Sequence, residues 1–305
     1  MSLPYKATLT SPCKLNLTLD VGLPRPDGFH EIDSLVVLLS ASDELTVTIK
    51  PGPRTVKLIL KDRRPDAVAI EPIPKGAENL AHKAAQLALD TLAPGQELQV
   101  WITLAKRLPA QAGLGAGSSN AATVLKAIGE ALEAPTEALF PLAAQLGSDV
   151  ALFLSPLLPE FSGGGVGGGG LVRMRGRGER IEAVALEIPK LYGVLARPAM
   201  GVPTGPAYAL LDALSNRAPG AATERLLAGG SLADVLSNDF EAAVLPAYPE
   251  VAALHAALTE AGAVRALLCG SGSSVFGLAR DRAHALELVK KLAGKVAWLK
   301  LVERL

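Results

Sequence analysis

Pro109-Ala110-Gln111-Ala112-Gly113-Leu114-Gly115-Ala116-Gly117-Ser118-Ser119-Asn120 stands between two stretches of different period. Before it, Val100, Ile102 and Leu104 alternate with outward positions as a strand does; after Lys106-Arg107-Leu108-Pro109, residues 121–132 form a helix-like run of small and apolar residues. A glycine turn feeding a helix leaves the first amides of that helix unpaired and pointing outward. Such an end binds phosphate, because small residues let the backbone approach the oxygens and the helix dipole favours negative charge. A Walker loop needs a lysine after its last glycine, and none follows Gly117. A dinucleotide fingerprint needs G-x-G-x-x-G directly after a strand, whereas Gly113, Gly115 and Gly117 are spaced by two and follow a four-residue connection. A turn that merely caps a helix is the plain alternative. Against it stand the paired hydroxyls of Ser118 and Ser119, which suit a metal or a phosphate.

Working outward, Asn79 opens an apolar pattern at Leu80, Ala84, Leu87, Ala88 and Leu92 with helical spacing, which Pro94-Gly95 ends. Nearer the N terminus, 7–20 and 35–49 read as strands around turn residues at 22–28, with a further strand at 55–60. In the second half, helical patterns at 206–214, 238–244, 249–261 and 282–292 alternate with apolar strands at 191–196, 264–269 and 275–279, and a closing strand lies near 296–302. The run Gly163 to Gly170 is too rich in glycine to hold a regular element unaided and reads as a linker near a domain junction. A chain of 305 residues that is 49% hydrophobic exceeds the size at which one core usually divides, so two domains are expected, 1–160 and 161–305, both α+β.

Composition excludes several roles. Lys+Arg and Asp+Glu each number 30, so the net charge is zero and no basic stripe offers itself to nucleic acid. The first thirteen residues lack the charged start and apolar run of a signal peptide, and no apolar stretch is long enough to span a bilayer, so a cytoplasmic protein without membrane contact is expected. Two cysteines, Cys13 and Cys269, give neither a disulfide framework nor a zinc site and read as small core residues.

The pattern P-x-x-x-G-L-G-x-G-S-S-x-A-A closely resembles the phosphate-loop signature of the GHMP kinases, named for galactose, homoserine, mevalonate and phosphomevalonate kinases. Ala116 replaces a glycine common there, a small change that leaves the backbone path intact. A second glycine segment, Leu267 to Gly277, reads alone as a hairpin but looks like the third motif of that family. Near the start, Ser11-Pro12-Cys13-Lys14-Leu15-Asn16-Leu17 followed by Arg25-Pro26-Asp27-Gly28-Phe29-His30 is similar to the P-x-K-[IL]-N-L and R-x-D-G-[YF]-H segments of the diphosphocytidyl-methylerythritol kinases. Glu78-Asn79-Leu80, Leu146-Gly147-Ser148-Asp149-Val150, Arg175-Gly176-Arg177-Gly178-Glu179, Gly201-Val202-Pro203-Thr204 with Tyr208, and Ser237 to Glu241 extend the likeness over nearly the whole chain.

The resemblance implies an N-terminal ribosomal-protein-S5-like α/β domain and a C-terminal ferredoxin-like α/β domain, with ATP and Mg²⁺ as cofactors. It implies an ATP site at Asn79, Lys106, Pro109, Gly113, Leu114, Gly115, Ala116, Gly117, Ser118, Ser119 and Asn120, with Ser119 also the metal ligand. Lys14 and Asp149 would be catalytic, the carboxylate taking the acceptor's proton and the ammonium stabilising transferred charge. Phe29 and Tyr208 would sandwich a cytosine whose polar edge His30 reads, while Asn16, Thr204, Gly270 and Gly272 hold the rest of a diphosphocytidyl-methylerythritol. A monomer or homodimer is expected. Two rivals remain at this level. One is a kinase of the mevalonate or homoserine type; the other is a non-catalytic member of the fold, against which the presence of both Lys14 and Asp149 argues.

Overall fold

The computed structural model describes residues 3–158, 161, 170–215 and 217–305. Strand β1 (Tyr5–Asn16) lies antiparallel on β3 (His30–Pro51), the longest strand, which also takes β2 (Thr18–Pro24) at its start and β5 (Leu98–Lys106) at its end. The β1 register shifts between Pro12 and Cys13, where proline cannot donate to a ladder. Strand β4 (Thr55–Asp62) runs parallel to β5, and helix α1 (Leu80–Leu92) makes the crossover that parallel strands require. Asn79 starts α1 by accepting from the Ala81 amide at 2.9 Å.

After β5 come α2 (Ala116–Leu132), α3 (Leu139–Leu146) and α4 (Val150–Leu154). Helix α2 begins at Ala116, five residues before the sequence pattern suggests, because Gly115 takes the N-cap position in a left-handed conformation at φ 66°. Its interior is nearly buried all round. Ala121, Val124, Leu125 and Ile128 pack with Ala81, Ala84 and Ala88 of α1 and with Leu45, Val47, Val100 and Ile102 of the sheet. Alanines at the α1–α2 contact let the two axes approach closely, while each buried Leu, Ile or Val contributes about 1.5–3 kcal/mol.

Strands β6 (Leu171–Gly176) and β7 (Arg180–Val184) follow, and β6 pairs with β3. The chain therefore leaves the first sheet only after residue 184, later than the 160/161 division read from sequence. Of the glycine run at 163–170, all but Gly170 lie outside the described residues. The second sheet has the order β10-β11-β8-β12, all antiparallel, formed by β8 (Tyr192–Arg197), β10 (Arg265–Leu268), β11 (Val275–Ala279) and β12 (Trp298–Glu303). Between β8 and β10 lie α5 (Thr204–Asp212), α6 (Ala222–Leu227), α7 (Leu232–Val235), β9 (Ser237–Asn238), α8 (Glu241–Ala247) and α9 (Pro249–Glu260), and α10 (Arg282–Leu292) precedes β12. Leu15, Leu35, Val37 and Leu39 of the first sheet share one core with Leu195, Leu267, Phe276 and Trp298 of the second. No helix among the described residues is long and apolar enough to cross a membrane.

Candidate active site

A cavity of about 980 Å³ opens where the start of α2, the end of β1, the β2–β3 turn, α5 and the second glycine segment meet. Asp43 of β3, fully buried, shapes its rim: Oδ1 accepts from the Arg107 and Leu108 amides at 2.7 and 2.8 Å, and Oδ2 receives the Lys106 ammonium at 2.5 Å. This turns the chain out of β5 into the glycine loop. Burial pushes the Lys106 ammonium below its usual pKa range while Asp43 acts in the opposite direction.

The two glycine segments touch backbone to backbone. A Cβ on Gly113, at φ 71°, would stand 1.7 Å from the Cys269 carbonyl oxygen, and one on Gly270 would stand 3.0 Å from the Gly113 oxygen. Gln111 holds a positive φ of 46°, a position normally left to glycine, and its carbonyl accepts from the Val202 and Ser273 amides at 3.2 and 3.3 Å. Loop and C-terminal half are thereby clasped together. Gly117 differs from both, since a Cβ there would meet only Leu80 Cδ1 at 3.5 Å, and its open side faces the cavity.

Lys14 and Asn16 share one face of β1 by the strand's period of two. The Lys14 ammonium donates to Asn16 Oδ1 at 2.7 Å and lies 3.6 Å from Asp149 Oδ2. Asn16 is fixed in turn by donating to Ser34 Oγ at 2.8 Å, and Ser34 donates to the Thr18 carbonyl. Asp149 stands at the N-cap position of α4, yet its side chain makes no capping bond and remains 31% exposed, open to the cavity. One carboxylate and one ammonium thus face the same space, held from opposite sides.

At the far end, Asp27 organises the β2–β3 turn by accepting from the Phe29 amide and from Arg25. Phe29 stays 50% exposed, with the Arg177 guanidinium 4.7 Å from its ring centroid. His30 is buried; its ring stacks on Tyr208 at 4.7 Å and its Nε2 meets Asp212 Oδ1 at 2.8 Å. A carboxylate only accepts, so in the neutral ring Nε2 carries the hydrogen and Nδ1 is left as an acceptor. Tyr208 also meets Phe240 edge to face, and burial, with Asp149 and Asp212 nearby, pushes its hydroxyl up to about 12, so it stays neutral.

The family model for the GHMP kinases N terminal domain matches residues 79–155, and that for the GHMP kinases C terminal matches 220–297. Over 299 residues the chain is 32% identical to the 4-diphosphocytidyl-2-C-methyl-D-erythritol kinase of Pelobacter propionicus, with 97% of each chain covered. The chain belongs to the 4-diphosphocytidyl-2-C-methyl-D-erythritol kinases of the GHMP kinase family. A crystal structure of 4-(cytidine 5'-diphospho)-2C-methyl-D-erythritol kinase matches it with a TM-score of 0.75 at 31% identity, covering 98% of this chain and 99% of that one. A homoserine kinase from Cytophaga hutchinsonii, at TM-score 0.70 and 20% identity over 99% of this chain and 95% of that one, shares the fold. The protein is an ATP-using kinase of a small molecule.

In this GHMP kinase the cavity wall contains Pro109, Gly113, Leu114, Gly115, Ala116, Gly117 and Ser118 of the loop, with Asn79 and Lys106 beside them and Thr204 and Gly270 opposite. Asn120 also reaches the wall, but its amide is taken up by Ser11 and Asp43, so it braces the loop. Two expectations need correction. Ser119 is fully buried behind the loop, its hydroxyl hydrogen-bonded with Ser11 Oγ at 2.8 Å, because its place in the first helical turn points it inward; Ser118 is the hydroxyl on the cavity. Gly272 lies behind the wall against Leu268 and Val202, its amide donating to the Cys269 carbonyl. The expected Phe29–Tyr208 pair both line the cavity, but the ring stacked on Tyr208 is that of His30. Asp212 and Gln111 were not foreseen from sequence, since nothing in a helical aspartate or a loop glutamine marks them out. Both cysteines are buried, as expected, and burial raises both thiols, Cys13 to about 12.

Proposed function

We propose that this cytoplasmic kinase transfers the γ-phosphoryl group of Mg²⁺-bound ATP to the 2-hydroxyl of 4-diphosphocytidyl-2-C-methyl-D-erythritol. The observation that carries the reading is the Lys14–Asp149 pair, 3.6 Å apart on the floor of a cavity walled on one side by a phosphate-type glycine loop and on the other by Phe29, His30 and Tyr208. Phosphoryl transfer requires in-line positioning and neutralised charge more than covalent chemistry. Asp149 accepts the proton of the acceptor hydroxyl. Lys14, held in place by Asn16, faces that carboxylate and stabilises negative charge on the transferred group.

The first-turn amides of α2 and the open side of Gly117 give the triphosphate its cradle, while Gly113 and Gly115 let the loop pack tightly, since a Cβ there would strike Cys269 and Phe153. Bound ATP supplies the transferable phosphoryl group, and Mg²⁺ offsets its charge. Among the described residues no group of three or more His, Cys, Asp or Glu is gathered to hold a metal alone. The residues therefore fit an ion that arrives on the nucleotide's own oxygens, with the Ser118 hydroxyl as the protein's contribution. Phe29 and the Tyr208–His30 stack offer π faces and an acceptor at Nδ1, which suit a cytosine ring and its exocyclic amine.

The test is a coupled ADP-release assay of the purified protein with the diphosphocytidyl substrate, mevalonate, homoserine and galactose. Turnover is expected with the first alone. Comparable turnover of mevalonate or homoserine, with none of the diphosphocytidyl compound, would overturn the substrate assignment.

A further inference from the structure

The hairpin β6–β7 carries four arginines. Arg173 is held by Asp33 and Glu224, Arg175 by Glu182, and Arg180 by Glu31. Arg177, at the tip, has no carboxylate partner among the described residues; Glu179 accepts only its main-chain amide. The cavity's lysines are neutralised as well, Lys14 facing Asp149 and Lys106 facing Asp43. Arg177 is thus the one Lys or Arg on the cavity wall, among the described residues, that no carboxylate faces.

Its position is as informative as its charge. On one side the guanidinium stacks 4.7 Å from the Phe29 ring, at the nucleobase end. On the other, the next residue abuts the reacting end: a Cβ on Gly178 would lie 3.4 Å from Ser148 Cβ and 3.6 Å from Asp149 Oδ1. The hairpin tip therefore bridges base and catalytic carboxylate, which is the span a nucleoside diphosphate's two phosphates must cross between its ring and its acceptor alcohol. Arginine suits that place, since its planar fork binds phosphate oxygens two at a time while its face rests on an aromatic ring.

We propose that Arg177 is the cation that binds the diphosphate of the acceptor substrate, and that its stacking on Phe29 couples diphosphate binding to placement of the base. This rests on the substrate reading above. It adds a specificity element, because a non-phosphorylated alcohol such as a simple polyol or amino acid gains nothing from it.

The experiment measures binding of cytidine and of cytidine diphosphate to the full chain, in wild type, Arg177→Gln and Arg177→Lys, with KM for ATP alongside. Arg177 is exposed and stacks on Phe29, so the folded state should tolerate both changes. Wild type should bind cytidine diphosphate more tightly than cytidine. Arg177→Gln should weaken cytidine diphosphate about 10- to 100-fold and cytidine only about 2- to 3-fold, with Arg177→Lys between and KM for ATP unchanged. Equal losses for both ligands, or a loss confined to ATP, would overturn the diphosphate role while leaving the cytosine site standing. Binding of neither cytidine nor cytidine diphosphate by the wild type would overturn the substrate reading itself, and this inference with it.

Discussion

Gly117→Ala separates the effect of the ligand from that of the fold. The residue lies in the first turn of α2, and an added Cβ would touch nothing of the protein closer than Leu80 Cδ1 at 3.5 Å, ordinary van der Waals contact. Alanine in a helix is favoured over glycine by about 0.5–1 kcal/mol, so the folded state should be as stable as wild type or slightly more so. The methyl would, however, project into the cavity where phosphate must approach the backbone. Losing one amide–phosphate hydrogen bond, at roughly 1.5–3 kcal/mol for a charged partner, weakens ATP by about 10- to 100-fold. Thermal unfolding and calorimetric titration with ATP read the two quantities independently. Gly113→Ala is the contrasting control, because its Cβ would stand 1.7 Å from the Cys269 carbonyl, forcing the two glycine segments apart and lowering stability and both substrate affinities together. Unaltered ATP affinity in a stable Gly117→Ala protein would refute the claim that phosphate lies against this turn.

Asp149→Asn and Lys14→Met should each lower kcat by about 100-fold or more with KM for ATP nearly unchanged, since both act on the transferring group; steady-state kinetics of the folded variants checks this. Asp212→Asn should release the His30 tautomer, because an amide can donate or accept, raising KM for the diphosphocytidyl substrate and reducing discrimination against its uridine analogue by about tenfold; competition between the two measures it. Glu71→Gln should cost about 3–5 kcal/mol, read by denaturant unfolding, because the Arg197 guanidinium is fully buried and Glu71 is its carboxylate partner at 2.5 Å.

The loop from Pro109 to Asn120 was legible in the sequence because its chemistry is local: glycines at alternate positions after a strand and before a helix already dictate a backbone that phosphate can approach. The same holds for Lys14 and Asn16, whose spacing of two puts them on one strand face, and for α1, whose period and cap residue Asn79 fix its start. Strands β6 and β7 were not legible. Their alternation of arginine with apolar residues, next to a glycine run, has no partner in view until β3 is seen to extend past β1 and leave an edge for β6. The helical phase that turns Ser119 toward Ser11 and Ser118 toward the cavity depends on α2 starting at Ala116, which the left-handed Gly115 decides and a list of residue types does not. Contacts between residues distant in the chain, such as His30 with Asp212 or Arg177 with Phe29, arise only when α5 packs against the start of β3 and the β6–β7 hairpin joins the edge of the first sheet. Residue order fixes which groups are available and which local conformations they favour; packing decides which of those groups meet, because that depends on distances through space that the chain itself does not encode locally.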